Sequence, residues 1–219
     1  MSLTLEQVIL LIAPPILVTT TYMTFKYAAR RFGTQMGYLC GFLFYWIIWC
    51  LLLPLLIIGP NRLGELFTPA AAPFGNPAWL GLLLLIGPPL ATFLTGFRKR
   101  IQTASLTILV ASALYALANG SLEEILWRGT YVSVFPDDWF FGYLYPAIWF
   151  GLWHISPQVV YPSPMGSLPF ALMAILLGLV WGFIAMTTGS ILWVVVAHVL
   201  LNFAGLTGFS FLRSPNPGD

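Results

Sequence analysis

Long apolar runs, separated by short breaks of proline, glycine and charge, dominate the chain. A helix that crosses a bilayer needs about 20 apolar residues, and runs of that size predict helices over roughly 7–25, 37–58, 78–97, 101–135, 140–156, 168–187 and 190–212. The breaks are residues that helices tolerate least. Gly59-Pro60-Asn61 opens a loop that stays proline-rich to Pro77, Pro136-Asp137-Asp138 separates the fourth and fifth runs, and Ser156-Pro157 begins a loop with Pro162 and Pro164. The fourth run is too long for one straight crossing, since a continuous helix would span about 52 Å against a hydrocarbon core of about 30 Å. Two readings fit it: an extension over 101–111 with the crossing from about Ser112 to Ser133, or a break at Asn119-Gly120. Gly37/Gly41 and Gly178/Gly182, each four residues apart, are read as contacts where neighbouring helices approach closely. No internal repeat stands out.

The pattern therefore predicts an all-α polytopic transmembrane bundle of about seven spans, forming one integral-membrane domain over 1–219. Within it, 1–100 supplies three less specific spans and 101–212 the distinctive helices. Loop charge orients the bundle. Lys26, Arg30 and Arg31 follow the first span, and Arg98, Lys99 and Arg100 follow the third, whereas 59–77 between them holds only Arg62 and Glu65. Basic loops stay cytoplasmic, which predicts an external N-terminus and a cytoplasmic C-terminus near Arg213.

Composition sharpens this. With 59% hydrophobic and 7% charged residues and a mean hydropathy of +0.88, the chain lacks the charge to cover a globule in water. A soluble enzyme, a disordered tail and a nucleic-acid binder are excluded, leaving the bilayer as the surrounding medium. The net charge of +2 does not suggest a polyanionic partner. Cys40 and Cys50 lie ten residues apart in one run, roughly 15 Å on a helix, beyond disulfide reach, and read as small apolar residues. The N-terminal stretch has no positive n-region, which argues against a cleaved signal peptide. The small size suggests a prokaryotic cell membrane.

Against that apolar background three charges stand out. Glu123, Glu124 and Arg128 fall inside the fourth run, where a central charge costs roughly 2.5–3.5 kcal/mol unless it faces a bundle interior or a wet cavity. Glu124 and Arg128 are four apart, on one helix face, and pair. Glu123 is about 140° around the helix from Arg128 and has no local partner, which leaves it as the candidate general base. The chain has two histidines, and both lie inside apolar runs. Phe150 stands one turn before His154, and Asn202 one turn after His198 on the same face. Two acids, two histidines and an amide on the fourth, fifth and seventh helices make a candidate catalytic set.

Taken in order, Glu123-Glu124-xxx-Arg128, Phe150-xxx-His154 and His198-xxx-Asn202 resemble the EExxxR, FxxxH and HxxxN motifs of the CPBP family of intramembrane proteases, which includes the CAAX prenyl-protein endopeptidases and relatives linked to bacteriocin processing. Arg128-Gly129 and Gly189-Ser190 also look like the family, and the resemblance covers about residues 112–205. It implies hydrolysis of a peptide bond in a membrane-associated or prenylated protein. Glu123 and His154 would activate water, and His198 and Asn202 would support a metal or the oxyanion. Glu124, Arg128 and Phe150 would shape the site. The family has been described both as metallo- and as glutamate proteases, so zinc held by His154, His198 and Glu123 is one implied arrangement. The dual demand on Glu123, and an asparagine suited to an oxyanion hole, favour the metal-free one.

Other protease types fit less well. No HExxH is present, and Asp137, Asp138 and Asp219 lie outside the runs, which excludes an aspartyl dyad. Outside catalysis, the same polar cluster suits a non-catalytic membrane protein that uses it for packing, or a small transporter; no inverted repeat supports the latter.

Overall fold

Every regular element among the described residues, 3–212 of the computed structural model, is helical. The helices form seven segments: α1 (Leu5–Phe32), α2 (Thr34–Glu65), α3 (Ala78–Thr103), α4 (Leu106–Val134), α5 (139–153), α6 (Ser167–Thr188) and α7 (Leu192–Ala204). A short α8 (Gly208–Leu212) follows. Five of the seven, α1 to α4 and α6, are long and apolar enough to cross a membrane. Large apolar side chains such as Leu83, Leu106 and Leu114 point outward, as a lipid-facing surface requires.

The remaining two segments correct the predicted spans. α5 rises about 22 Å and α7 about 20 Å, short of the roughly 30 Å hydrocarbon core. The run expected over 190–212 stops at Ala204 because the chain turns through Leu206 at φ 49° before α8 begins. α5 ends in mid-bundle: Ser156, just beyond it, lies 3.4 Å from the Val18 carbonyl and the Thr21 hydroxyl, halfway along α1. The two short segments are the ones that carry His154 and His198.

The expected break at Asn119-Gly120 is not used. Ala104 is extended, and the Ser105 hydroxyl accepts from the Ile108 amide, capping a helix that then continues through Asn119-Gly120. A serine cap satisfies an otherwise orphaned amide, which makes Ser105 the better start. Gly120 stays helical because it is a contact point: a Cβ there would stand 2.9 Å from the Val199 amide nitrogen of α7. The predicted break at Gly59 is present, with φ 74° and a further turn of helix beyond it. Both predicted small-residue pairs are contacts. Gly37 and Gly41 press on Ala29 and Phe25 of α1, and Gly178 and Gly182 on Ala147 and Tyr143 of α5.

Ties between chain ends define two faces of the bundle. At one, Arg100 donates to the Gly205 carbonyl, the Gly208 amide to the Ser112 hydroxyl, and Phe211 packs on Tyr38. The basic clusters of α1 and α3 lie at this end. At the other, Gln7 and Arg62 donate to the Val134 and Ser133 carbonyls, and the Ile191 amide to the Leu66 carbonyl. The predicted C-terminus near Arg213 lies outside the described residues.

Candidate active site

Close contact of α4 with α7 brings the intramembrane charges to His198. Glu123 and Glu124 are fully buried, and Arg128 and His198 nearly so. Glu124 pairs with Arg128 as its spacing predicts, Arg128 Nη1 donating to Glu124 Oε1 at 2.9 Å. The same Oε1 lies 2.6 Å from His198 Nδ1. His198 Nε2, on the far side of the ring, stands 3.5 Å from Glu123 Oε2. One imidazole therefore bridges the two acids. A carboxylate oxygen has no proton to give in its ionised form, so Nδ1 is the donor to Glu124, and Nε2 is the nitrogen turned toward Glu123.

Phe150 is the hub that joins the three motifs. The Arg128 guanidinium lies 4.2 Å from the centre of its ring, and the rings of His154 and His198 meet it edge-on at 4.5 Å and 6.3 Å. Burial of a guanidinium is tolerated here because it has both an acid partner and an aromatic face. His154 caps α5, and its Nδ1 lies 2.7 Å from the Phe150 carbonyl. A carbonyl only accepts, so Nδ1 carries the proton and Nε2 is left with its lone pair. Trp181 packs against His198 at 4.8 Å from the other side.

Glu123 is not without a partner, which corrects the sequence reading. Asn119 Nδ2 donates to Glu123 Oε2 at 2.9 Å, and Trp46 Nε1 donates to Asn119 Oδ1 at 2.9 Å. Asn119 is one helical turn before Glu123, on the same face, and that spacing is the signal that marks it. Trp46 and Trp181 come from distant segments and carry no such signal.

Glu123, His154, His198 and Asn202 line one cavity of about 470 Å³ that also includes Arg100, Tyr161 and Gly205. Its mouth is therefore at the basic end of the bundle. Glu124 and Arg128 do not line it and sit behind His198. Several polar atoms around it are buried without a hydrogen-bond partner: Glu123 Oε1, Glu124 Oε2, Arg128 Nη2 and Asn202 Nδ2. An unmet buried polar group costs about 1–3 kcal/mol, so four such atoms, two on residues of the cavity wall and two behind His198, are not explained by packing alone.

Among the described residues no three His, Cys, Asp or Glu side chains are grouped to hold a metal ion. Each histidine commits Nδ1, to the Phe150 carbonyl or to Glu124, which leaves both Nε2 atoms open.

No curated protein and no solved structure matches the chain. Among protein families, residues 104–204 match the type II CAAX prenyl endopeptidases described as Rce1-like. That stretch begins at the Ala104-Ser105 break and ends with α7, so it contains all three motifs and the whole polar cluster. Over this stretch, somewhat under half of its length, the chain is similar to the Rce1-like CAAX prenyl endopeptidases, which supports the CPBP resemblance of its motifs.

Proposed function

We propose that the protein hydrolyses a peptide bond near the C-terminus of a prenylated, CAAX-type membrane substrate, with Glu123 as general base and no metal in the step. The observation that carries this reading is the sorting of the polar cluster: Glu123, His154, His198 and Asn202 on one cavity, with Glu124 and Arg128 behind it. Glu123 Oε2 is held by Asn119, while Oε1 is free to receive a proton. A water between Glu123 and the His154 Nε2 loses that proton as its oxygen attacks the scissile carbonyl. The oxyanion that forms is met by Asn202 Nδ2–H, which has no other partner, and by His198 when Nε2 carries a proton. Collapse of the tetrahedral species breaks the C–N bond. The proton taken from water passes to the departing nitrogen, giving a new carboxylate on one product and an amine on the other.

Glu124 acts through His198 and does not face the substrate. Its pair with Arg128 and its contact with Nδ1 fix the ring so that Nε2 faces the cavity. The positive-inside pattern supports a cytoplasmic mouth, where a lipidated protein tail arrives from the cytosol with its prenyl group already in the bilayer.

The test is cleavage of a farnesylated CAAX peptide by the detergent-purified protein, read by product mass. The expected products are a released C-terminal tripeptide and a peptide ending in prenylcysteine, their summed mass exceeding the substrate by one water. Activity should survive a zinc chelator, with less than about 0.1 zinc per chain by elemental analysis. An intact substrate would defeat the activity, and chelator-sensitive turnover the metal-free mechanism.

A further inference from the structure

Of the three basic residues that end α3, Arg98, Lys99 and Arg100, only Arg100 lines the catalytic cavity. It also lines a second, shallower chamber of about 370 Å³, whose walls include Thr103, Thr207 and Ser210 and, among the described residues, no acidic one. The two chambers share Arg100, Gly205, Thr207 and Ser210, so they adjoin across these residues. A guanidinium carries five N–H donors, and among the described residues the one hydrogen bond the Arg100 guanidinium makes is from Nη1 to the Gly205 carbonyl at 2.7 Å. The rest of the fork is available to an anion, and a carboxylate matches it with two parallel bonds.

The spacing selects which carboxylate. Gly205 lies seven residues after His198, about 10 Å along the axis of α7. Three extended peptide residues also span about 10 Å. A chain cut at the level of His198 therefore brings a carboxylate three residues downstream to Arg100. The mouth is held in this shape by Leu206, a fully buried residue at φ 49°. A leucine seldom takes that conformation unless its surroundings impose it, and here it presents the Gly205 carbonyl to Arg100.

On the function proposed above, we propose that Arg100 and the hydroxyl-lined vestibule bind the free C-terminal carboxylate of the substrate, and thereby place the scissile bond three residues upstream beside Glu123. Arg100 is a specificity residue that measures distance from the chain end. It also explains how an enzyme with an open cavity cleaves at one position: a bond too near or too far from the terminus leaves the guanidinium unpaired.

Two fluorescent farnesylated peptides test this, identical except that one ends in a free acid and the other in an amide. Binding is read by anisotropy in a Glu123→Gln background, and cleavage in the native background. The acid should bind about tenfold tighter than the amide, the size of a charge-assisted pair. Arg100→Gln should remove that preference by weakening the acid alone, and Arg100→Lys should restore part of it. Lys99→Gln should leave it intact, which separates a subsite from general surface charge. Equal binding of acid and amide, or equal effects of Lys99→Gln and Arg100→Gln, overturns the subsite. A native protein that cleaves neither peptide, while its Glu123→Gln form keeps an Arg100-dependent acid preference, overturns the activity and leaves the subsite standing.

Discussion

At the scale of single residues, Glu123 is held by a chain of neutral donors while Glu124 is held by charge. Asn119 and Trp46 fix Glu123, while Glu124 pairs with Arg128 and meets His198. Placement of a reacting group to within about 1 Å is worth up to 10²-fold in rate. Asn119→Ala should therefore lower kcat by about ten- to a hundredfold with KM little changed, and Trp46→Phe should lower it less. A kcat for Asn119→Ala equal to the native value would remove Asn119 from the positioning chain. The two acids were distinguishable from their spacing to Arg128, and so was the pairing of Glu124. The bridge through His198 was not, because it depends on the angle between α4 and α7, which no local pattern encodes.

At the scale of elements, the site is built where two helices touch closely and two helices stop short. Gly120 sits between Asn119 and Glu123 in sequence and against the Val199 backbone in space, so the α4–α7 distance at the site is set by a missing side chain. Gly120→Val should drive the helices apart, lowering both thermal stability in detergent and turnover. Gly87→Ala, at a position with open space around it, should change neither. If Gly120→Val is as active and stable as the native protein, the contact does not set the site. The seven segments and the Gly59 break were legible from hydropathy and punctuation. The short lengths of α5 and α7 were not, because their apolar runs continue into residues 154–156 and 205–212, and hydropathy does not see a turn made by a leucine at positive φ. Likewise Ser105, one of several polar residues over 102–107, outweighed the more conspicuous Asn-Gly pair.

At the scale of the whole molecule, the bundle is an apolar shell around one polar cavity that opens at the basic end. The ends of α1, α3 and α7 meet there, and of the basic residues at that end Arg100 lines the cavity. Maleimide labelling in intact cells should reach a cysteine at Asp137→Cys from outside and one at Phe32→Cys only after the membrane is opened; the reverse pattern would put the mouth on the external face. The sparse charge that marks this as a membrane protein also made its site legible, since few acids, bases or histidines compete for attention. The Rce1-like match over 104–204 is similarity to a family of proteases, and the cavity is a space that Glu123, His154, His198 and Asn202 share. The central claim, that a water activated by Glu123 cuts the substrate, is tested most directly by kcat of Glu123→Gln on a farnesylated CAAX peptide. The account predicts a fall of at least about a thousandfold with peptide binding retained, the loss expected when a general base is removed. A Glu123→Gln enzyme that keeps a tenth or more of native kcat would contradict it.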